Sequence, residues 1–132
     1  MKGYNTSIET ETLNNQDFRR VLYTAKNSQL VLMTLDPNQD IGEETHFEND
    51  QFFRFEQGQG LCIIDGNEYP VEDGSAIIVP AGAKHNVINT SSTEPLKMYT
   101  IYSPPHHKDG IVRATKQEAM DNDEEFDGVT TE

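Results

Sequence analysis

From Val21 to Tyr102 the chain is a succession of short apolar or alternating runs, each closed by turn residues, with no helical period between them. "VLYTA" and "SQLVLMTL" are separated by Lys26-Asn27; "DPNQDIG" interrupts the pattern, "QFFRF" resumes it and "GQG" interrupts it again. "LCIID" runs into Asp65-Gly66-Asn67, a hairpin signal because glycine tolerates positive φ. "EYPV", the turn "EDG", "SAIIVP", the turn "AGA", "KHNVIN", a Ser/Thr loop and "LKMYTIY" complete the series. Many short strands at this spacing predict an all-β chain, an antiparallel sandwich or barrel.

The ends read differently. Residues 1–20 carry no clear period and are expected to form an irregular arm contributing an edge strand or a short helix. "SPPHHKDG" is extended, because paired prolines prevent a helix there. Thr115 and Glu118 have the T-x-x-E spacing of a capping box, so "KQEAMDNDEEF" is expected to start a short helix that frays into an acidic end. The expected division is an arm over 1–17, a β-domain over 18–105 and an extension over 106–132.

With 132 residues the chain is long enough for one domain with a modest core. Ten Lys and Arg against 23 Asp and Glu give a net charge of -13, which argues against nucleic acid and anionic membrane surfaces as partners. Seven acidic residues follow Lys116 with no basic residue among them, the pattern of a solvated tail. Cys62 is the only cysteine, so no intramolecular disulfide forms; flanked by aliphatics, it reads as inert core. No apolar leader and no span of membrane length is visible, and a soluble cytoplasmic protein is expected. Phosphate loops, nucleophile elbows and Cys-x-x-Cys pairs are lacking.

The most informative segment is "GSAIIVPAGAKHNVIN", Gly74–Asn89. It places Pro80, Gly82, His85 and Asn89 at fixed intervals after Gly74, and Ser75–Val79 reads as a buried strand ended sharply by Pro80 and Gly82. His85, Val87 and Asn89 then share a face by the period of two. This segment is similar to the second signature motif of the cupin family at every defined position. Upstream, the first cupin motif resembles Asn38, Glu44, His46, Gln51 and Gly58, where the family has Gly, His, His, Glu and Gly. Asn38, Glu44 and Gln51 therefore depart from the pattern. The 15 residues between Gly58 and Gly74 resemble the intermotif spacing of compact microbial cupins. The chain looks like a small single-domain bacterial cupin of unassigned function, with "DQFFR" and "YSPP" adding to the likeness. The resemblance implies a jelly-roll β-barrel and, commonly, a homodimer.

Strand geometry bears on the alignment independently. Glu44 and His46 are two apart and face one side of a strand, whereas Gln51 has the wrong parity for that side. "ENDQ" is turn-prone, so a bend there resets the register and puts Gln51, Phe53 and Phe55 on one face. Glu44, His46 and His85 would then supply two imidazoles and a carboxylate, the facial-triad donor set, with Gln51 adding a carbonyl oxygen. One divalent metal ion (Fe, Mn, Ni or Zn) suits that set, and Glu44 is also the candidate for moving protons. Glu44 reads equally as an exposed strand carboxylate, and Gln51 as a partner for a turn. His106 and His107 read as surface residues; Tyr99, Tyr102 and Lys97 either line the barrel or pack its outer face. The resemblance implies three functions for a small-molecule ligand. They are a metal-dependent isomerase or lyase acting on a sugar or sugar-acid-like metabolite, an Fe(II)-dependent dioxygenase, and a non-catalytic binding module.

Overall fold

The computed structural model describes residues 1–132. A helix, α1 (Ile8–Asn14), precedes β1 (Arg19–Thr24), β2 (Gln29–Leu35), β3 (Glu44–Thr45), β4 (Asp50–Gln57), β5 (Gln59–Ile64), β6 (Asn67–Glu72), β7 (Ala76–Val79), β8 (Lys84–Asn89), β9 (Leu96–Ser103) and β10 (Val112–Arg113). A second helix, α2 (Lys116–Asp121), follows. The strands form a six-stranded sheet, β10-β1-β2-β9-β4-β7, and a four-stranded sheet, β3-β8-β5-β6. Every pairing is antiparallel. The all-β, jelly-roll expectation is met by these two sheets, which are not hydrogen-bonded into one continuous barrel.

The core fills the space between them. Val31, Met33, Leu35, Phe53, Phe55, Cys62, Val87, Leu96 and Met98 are fully buried there. On β4 the alternation is the expected one: Gln51, Phe53 and Phe55 point in, and Phe52 and Arg54 are half-buried on the other side. Burial pushes the Cys62 thiol up to about 11, which keeps it protonated and inert.

Three local features refine the expectations, and one of them overturns a reading. Of the two forms expected for the N-terminal arm the structure has the short helix: α1 lies over the outer face of β2 and β9. Asn15, just past α1, donates from Nδ2 to Thr34 Oγ1 at 3.1 Å and accepts on its carbonyl from Lys97 Nζ. That cover explains why Lys97 is buried although it faces away from the core. Next, Ser75–Val79 is not a buried strand: β7 is a sheet edge paired only with β4, and Ile78 is 68% exposed. Finally, the acidic tail exposes most of its carboxylates but is tied down through its backbone and through the Glu132 side chain. Phe126 N donates to His106 O at 2.9 Å, Thr131 N donates to Thr24 O at 2.9 Å, and Glu132 accepts from Gly3 N at 2.9 Å. Ahead of the tail, α2 starts as expected, with Thr115 Oγ1 accepting from Glu118 N at 3.1 Å. No helix is long and apolar enough to cross a membrane.

Candidate metal centre

Two strands and one turn build the site. β3 pairs with β8 so that Glu44 lies directly opposite His85, which puts their side chains on one face. His46 follows two residues after Glu44 and ends the short strand. The turn between β7 and β8 secures both halves. Gly82 N donates to His46 O at 2.9 Å, Ala81 N donates to Asp50 Oδ1 at 2.9 Å, and Ala83 O accepts from His85 Nδ1 at 3.0 Å. Gly82 has φ +88, the left-handed conformation that aims its N–H at His46. Main-chain groups of the second motif therefore position residues of the first. Asn38, where the family has glycine, adopts φ +62, a conformation that asparagine tolerates better than most residues. Asn89 is a brace, not a ligand: its Nδ2 lies 3.1 Å from Leu35 O and 2.9 Å from Glu94 O, and its Oδ1 accepts from Ser91 N.

The donor atoms of Glu44, His46 and His85 all lie within 4.8 Å of one another. Because His85 spends its Nδ1 proton on Ala83 O, its Nε2 carries a lone pair, the tautomer a ligand needs. His46 Nε2 lies 3.0 Å from Glu44 Oε2, with the His46 side chain 9% exposed. Gln51 enters from the other sheet, where it stands opposite Tyr102 and Val79. Its Nε2 donates to Thr100 Oγ1 at 3.0 Å, while its Oε1 is buried without a partner. A buried acceptor left open in this way fits a cation or a donor from a ligand.

Burial works against ionisation of Glu44. The His46 hydrogen bond and the nearby positive charges outweigh it, and the carboxyl sits below its ordinary range. Burial lowers His85, only partly offset by its bond to Ala83. At neutral pH the centre thus offers an ionised carboxylate and a neutral His85, the protonation states a divalent ion requires.

His106 and His107 are not surface residues. Gln29, 1% exposed, holds their segment from below: its Oε1 accepts from His107 N at 2.9 Å and from His106 N at 3.2 Å, and its Nε2 donates to His107 O at 2.7 Å. Asn49 Nδ2 donates to the Pro104 carbonyl. The segment therefore folds back over the site, with the His106 ring 4.2 Å from that of His46 and 5.2 Å from that of Tyr102. Tyr102 points inward, its hydroxyl 3.2 Å from His107 Nε2, whereas Tyr99 faces outward against Phe52. Burial and the neighbouring His46 lower His106 to about 4. Paired prolines announce an extended segment but not its direction, so sequence carries no signal for this contact.

The Cupin domain family model matches residues 31–102. The chain belongs to the cupin family. It is 45% identical over 125 residues to the uncharacterized protein YrkC of Bacillus subtilis, covering 90% of this chain and 67% of that protein. The crystal structure of BH2720 from Bacillus halodurans superposes with a TM-score of 0.89 at 42% identity, over 92% of this cupin and 96% of that chain. A more distant cupin-fold structure, a predicted oxalate decarboxylase from Thermotoga maritima, superposes with a TM-score of 0.56 at 20% identity, over 60% of this chain and 68% of that one.

Proposed function

We propose that this cupin is a metal-dependent enzyme acting on a small hydroxy-carbonyl metabolite of the sugar or sugar-acid type, by isomerase or lyase chemistry. One observation carries the reading: Glu44, His46 and His85 converge their donor atoms within 4.8 Å, with the open Gln51 Oε1 as a further oxygen. A bound Fe, Mn, Ni or Zn ion supplies Lewis-acid polarisation of a substrate oxygen. The chain's own residues supply the rest. Glu44 has two carboxylate oxygens, so it can bind through one and exchange a proton through the other. His106, neutral and packed at a tilt against His46, narrows access by water, and the Tyr102–His107 hydrogen bond fixes the wall behind it.

Elemental analysis of tag-free protein tests the reading. One metal per chain is expected, lost in His85→Ala and weakened in Glu44→Ala. Loss of an outer hydrogen-bond partner alone costs about 10–100-fold in metal affinity, and loss of a ligand costs more. No uptake of Fe(II), Mn(II), Ni(II) or Zn(II) would turn the assignment to the non-catalytic binding module. With metal bound, oxygen uptake dependent on Fe(II) and a substrate would favour the dioxygenase, which the two-histidine, one-carboxylate set also suits.

The proposed assembly is a cytoplasmic homodimer, supported by the outward Phe52, Tyr99 and exposed Ile78 along β4, β9 and β7. Light scattering at micromolar concentration should give twice the 14.9 kDa chain mass, and a monomeric mass removes the dimer.

A further inference from the structure

Arg19 stands apart from every other basic residue in the fold. It points inward from β1 and is 7% exposed, yet no carboxylate pairs with it, and its Nε is buried without a hydrogen-bond partner. Its one close companion is the Phe18 ring, whose centroid lies 5.5 Å from the guanidinium carbon. Three of the acids around it are engaged elsewhere, while Asp123, which lines the cavity beside Arg19, makes no ion pair with any basic residue. Glu124 pairs with Arg113, the residue opposite Arg19 on β10, at 3.3 Å; Asp40 takes Lys116 at 2.6 Å; and Glu44 turns an oxygen to His46 at 3.0 Å. A buried guanidinium without a carboxylate is costly, and native chains keep one where something completes it.

What can complete it is set by the space beside it. Arg19 and Glu44 both line a partly open cavity of about 300 Å³, whose other walls are Phe18, Ile41, Lys116, Ala119, Met120 and Asp123. That volume matches the lower range of small-molecule sites. Glu44 is shared between this cavity and the donor cluster, so a molecule seated on Arg19 has its far end beside the candidate metal centre. We infer that Arg19 is the anion-recognition residue of this cavity, binding the carboxylate or phosphate of a small ligand whose other end reaches Glu44 and the histidine cluster. The planar guanidinium fork matches either oxyanion through paired N–H donors, which a lysine cannot reproduce. The inference deepens the enzyme reading by assigning an anionic substrate, and it rests on that reading only for what happens at the other end.

The test follows the Arg19 Nε–H resonance and backbone amides by ¹H–¹⁵N correlation spectroscopy. Inorganic phosphate, D-glycerate and neutral glycerol are titrated into metal-loaded and chelator-treated protein, with metal content measured in parallel. One of the two anions should move the Arg19 Nε–H signal saturably and glycerol should not; whichever binds more tightly identifies the oxyanion. Arg19→Gln should weaken that binding by about 10–100-fold, as expected for charge-assisted hydrogen bonds. Arg19→Met should abolish it while leaving the melting temperature equal to or above that of the parent, since an apolar side chain removes an uncompensated buried charge. Absence of saturable binding by either anion, or equal anion affinity in Arg19→Gln, overturns the inference. So does a collapse of Arg19→Met and Arg19→Gln alike, which would make Arg19 a structural cation. Anion binding at Arg19 in protein that takes up no metal would leave the site standing and remove the enzyme reading instead.

Discussion

Replacing Gly58 with alanine is expected to lower stability by about 3 kcal/mol or more, a large share of the roughly 5–15 kcal/mol typical of a native domain. Gly58 lies between β4 and β5, where the chain leaves the six-stranded sheet for the four-stranded one, and its φ is +98. A Cβ there would meet the Pro95 carbonyl oxygen at 2.4 Å and Leu96 Cα at 3.0 Å. Both obstacles are backbone, so no side chain can swing aside. The conformation itself costs an L-residue about 1–3 kcal/mol, and the collision adds to it. In a thermal melt, Gly58→Ala should fall by about 10 °C or more, or fail to accumulate as soluble protein. Gly82→Ala separates the two contributions, because Gly82 shares a positive φ of +88 but has nothing within 4 Å of its added carbon. Similar melting temperatures for Gly58→Ala and the parent would mean that the Pro95 segment yields.

Metal-free protein should lose stability steeply as pH falls from about 6.5 to about 4. Burial and the adjacent His46 place His106 at about 4 in the folded chain against an ordinary 6.5, and burial also holds His107 well below the ordinary value. Each group binds fewer protons folded than unfolded, so stability rises with pH through that window and levels off above it. Glu44 and Asp40, both lowered, act in the same direction at the acid end. For His106 alone the difference, discounted because the ring is only partly buried, corresponds to on the order of 2–3 kcal/mol. Urea midpoints measured with chelator between pH 7.5 and 4 should show the loss, and His106→Gln should reduce it, leaving the share of His107. A flat profile in the parent would mean that the packed imidazoles open to water at little cost.

Much of this site was legible in the chain because strand parity is rigid. Once "ENDQ" is read as a bend, Gln51, Phe53 and Phe55 must share a face, and they are buried together. The register that sets Glu44 against His85 likewise follows from two motifs lying on neighbouring strands. Parity fails where the question is what covers a face. It assigns Lys97 to the outer side of β9 but cannot show that Asn15 closes over it. It suggests that "SAIIV" is buried and cannot show that β7 ends the sheet. Arg19 opens β1, a run interrupted by a bulge between Val21 and Tyr23, and an inward arginine there looks like an outward one until the partners on every side are known. His106 and His107 depend on Gln29, a residue 77 and 78 positions away, and no local pattern encodes that clamp.

The main-chain bonds from the β7–β8 turn to His46 and His85 have a consequence for how such a centre can diversify. Position is carried by peptide groups, through Gly82 N and Ala83 O, while charge and donor type are carried by the side chains those groups hold. The two properties are therefore separable. A glutamate can replace a histidine at 44, a glutamine a glutamate at 51 and an asparagine a glycine at 38, and the cradle still closes. Families built on such a frame can exchange the ion they prefer, or the charge of the molecule they admit, one side chain at a time without renegotiating the fold.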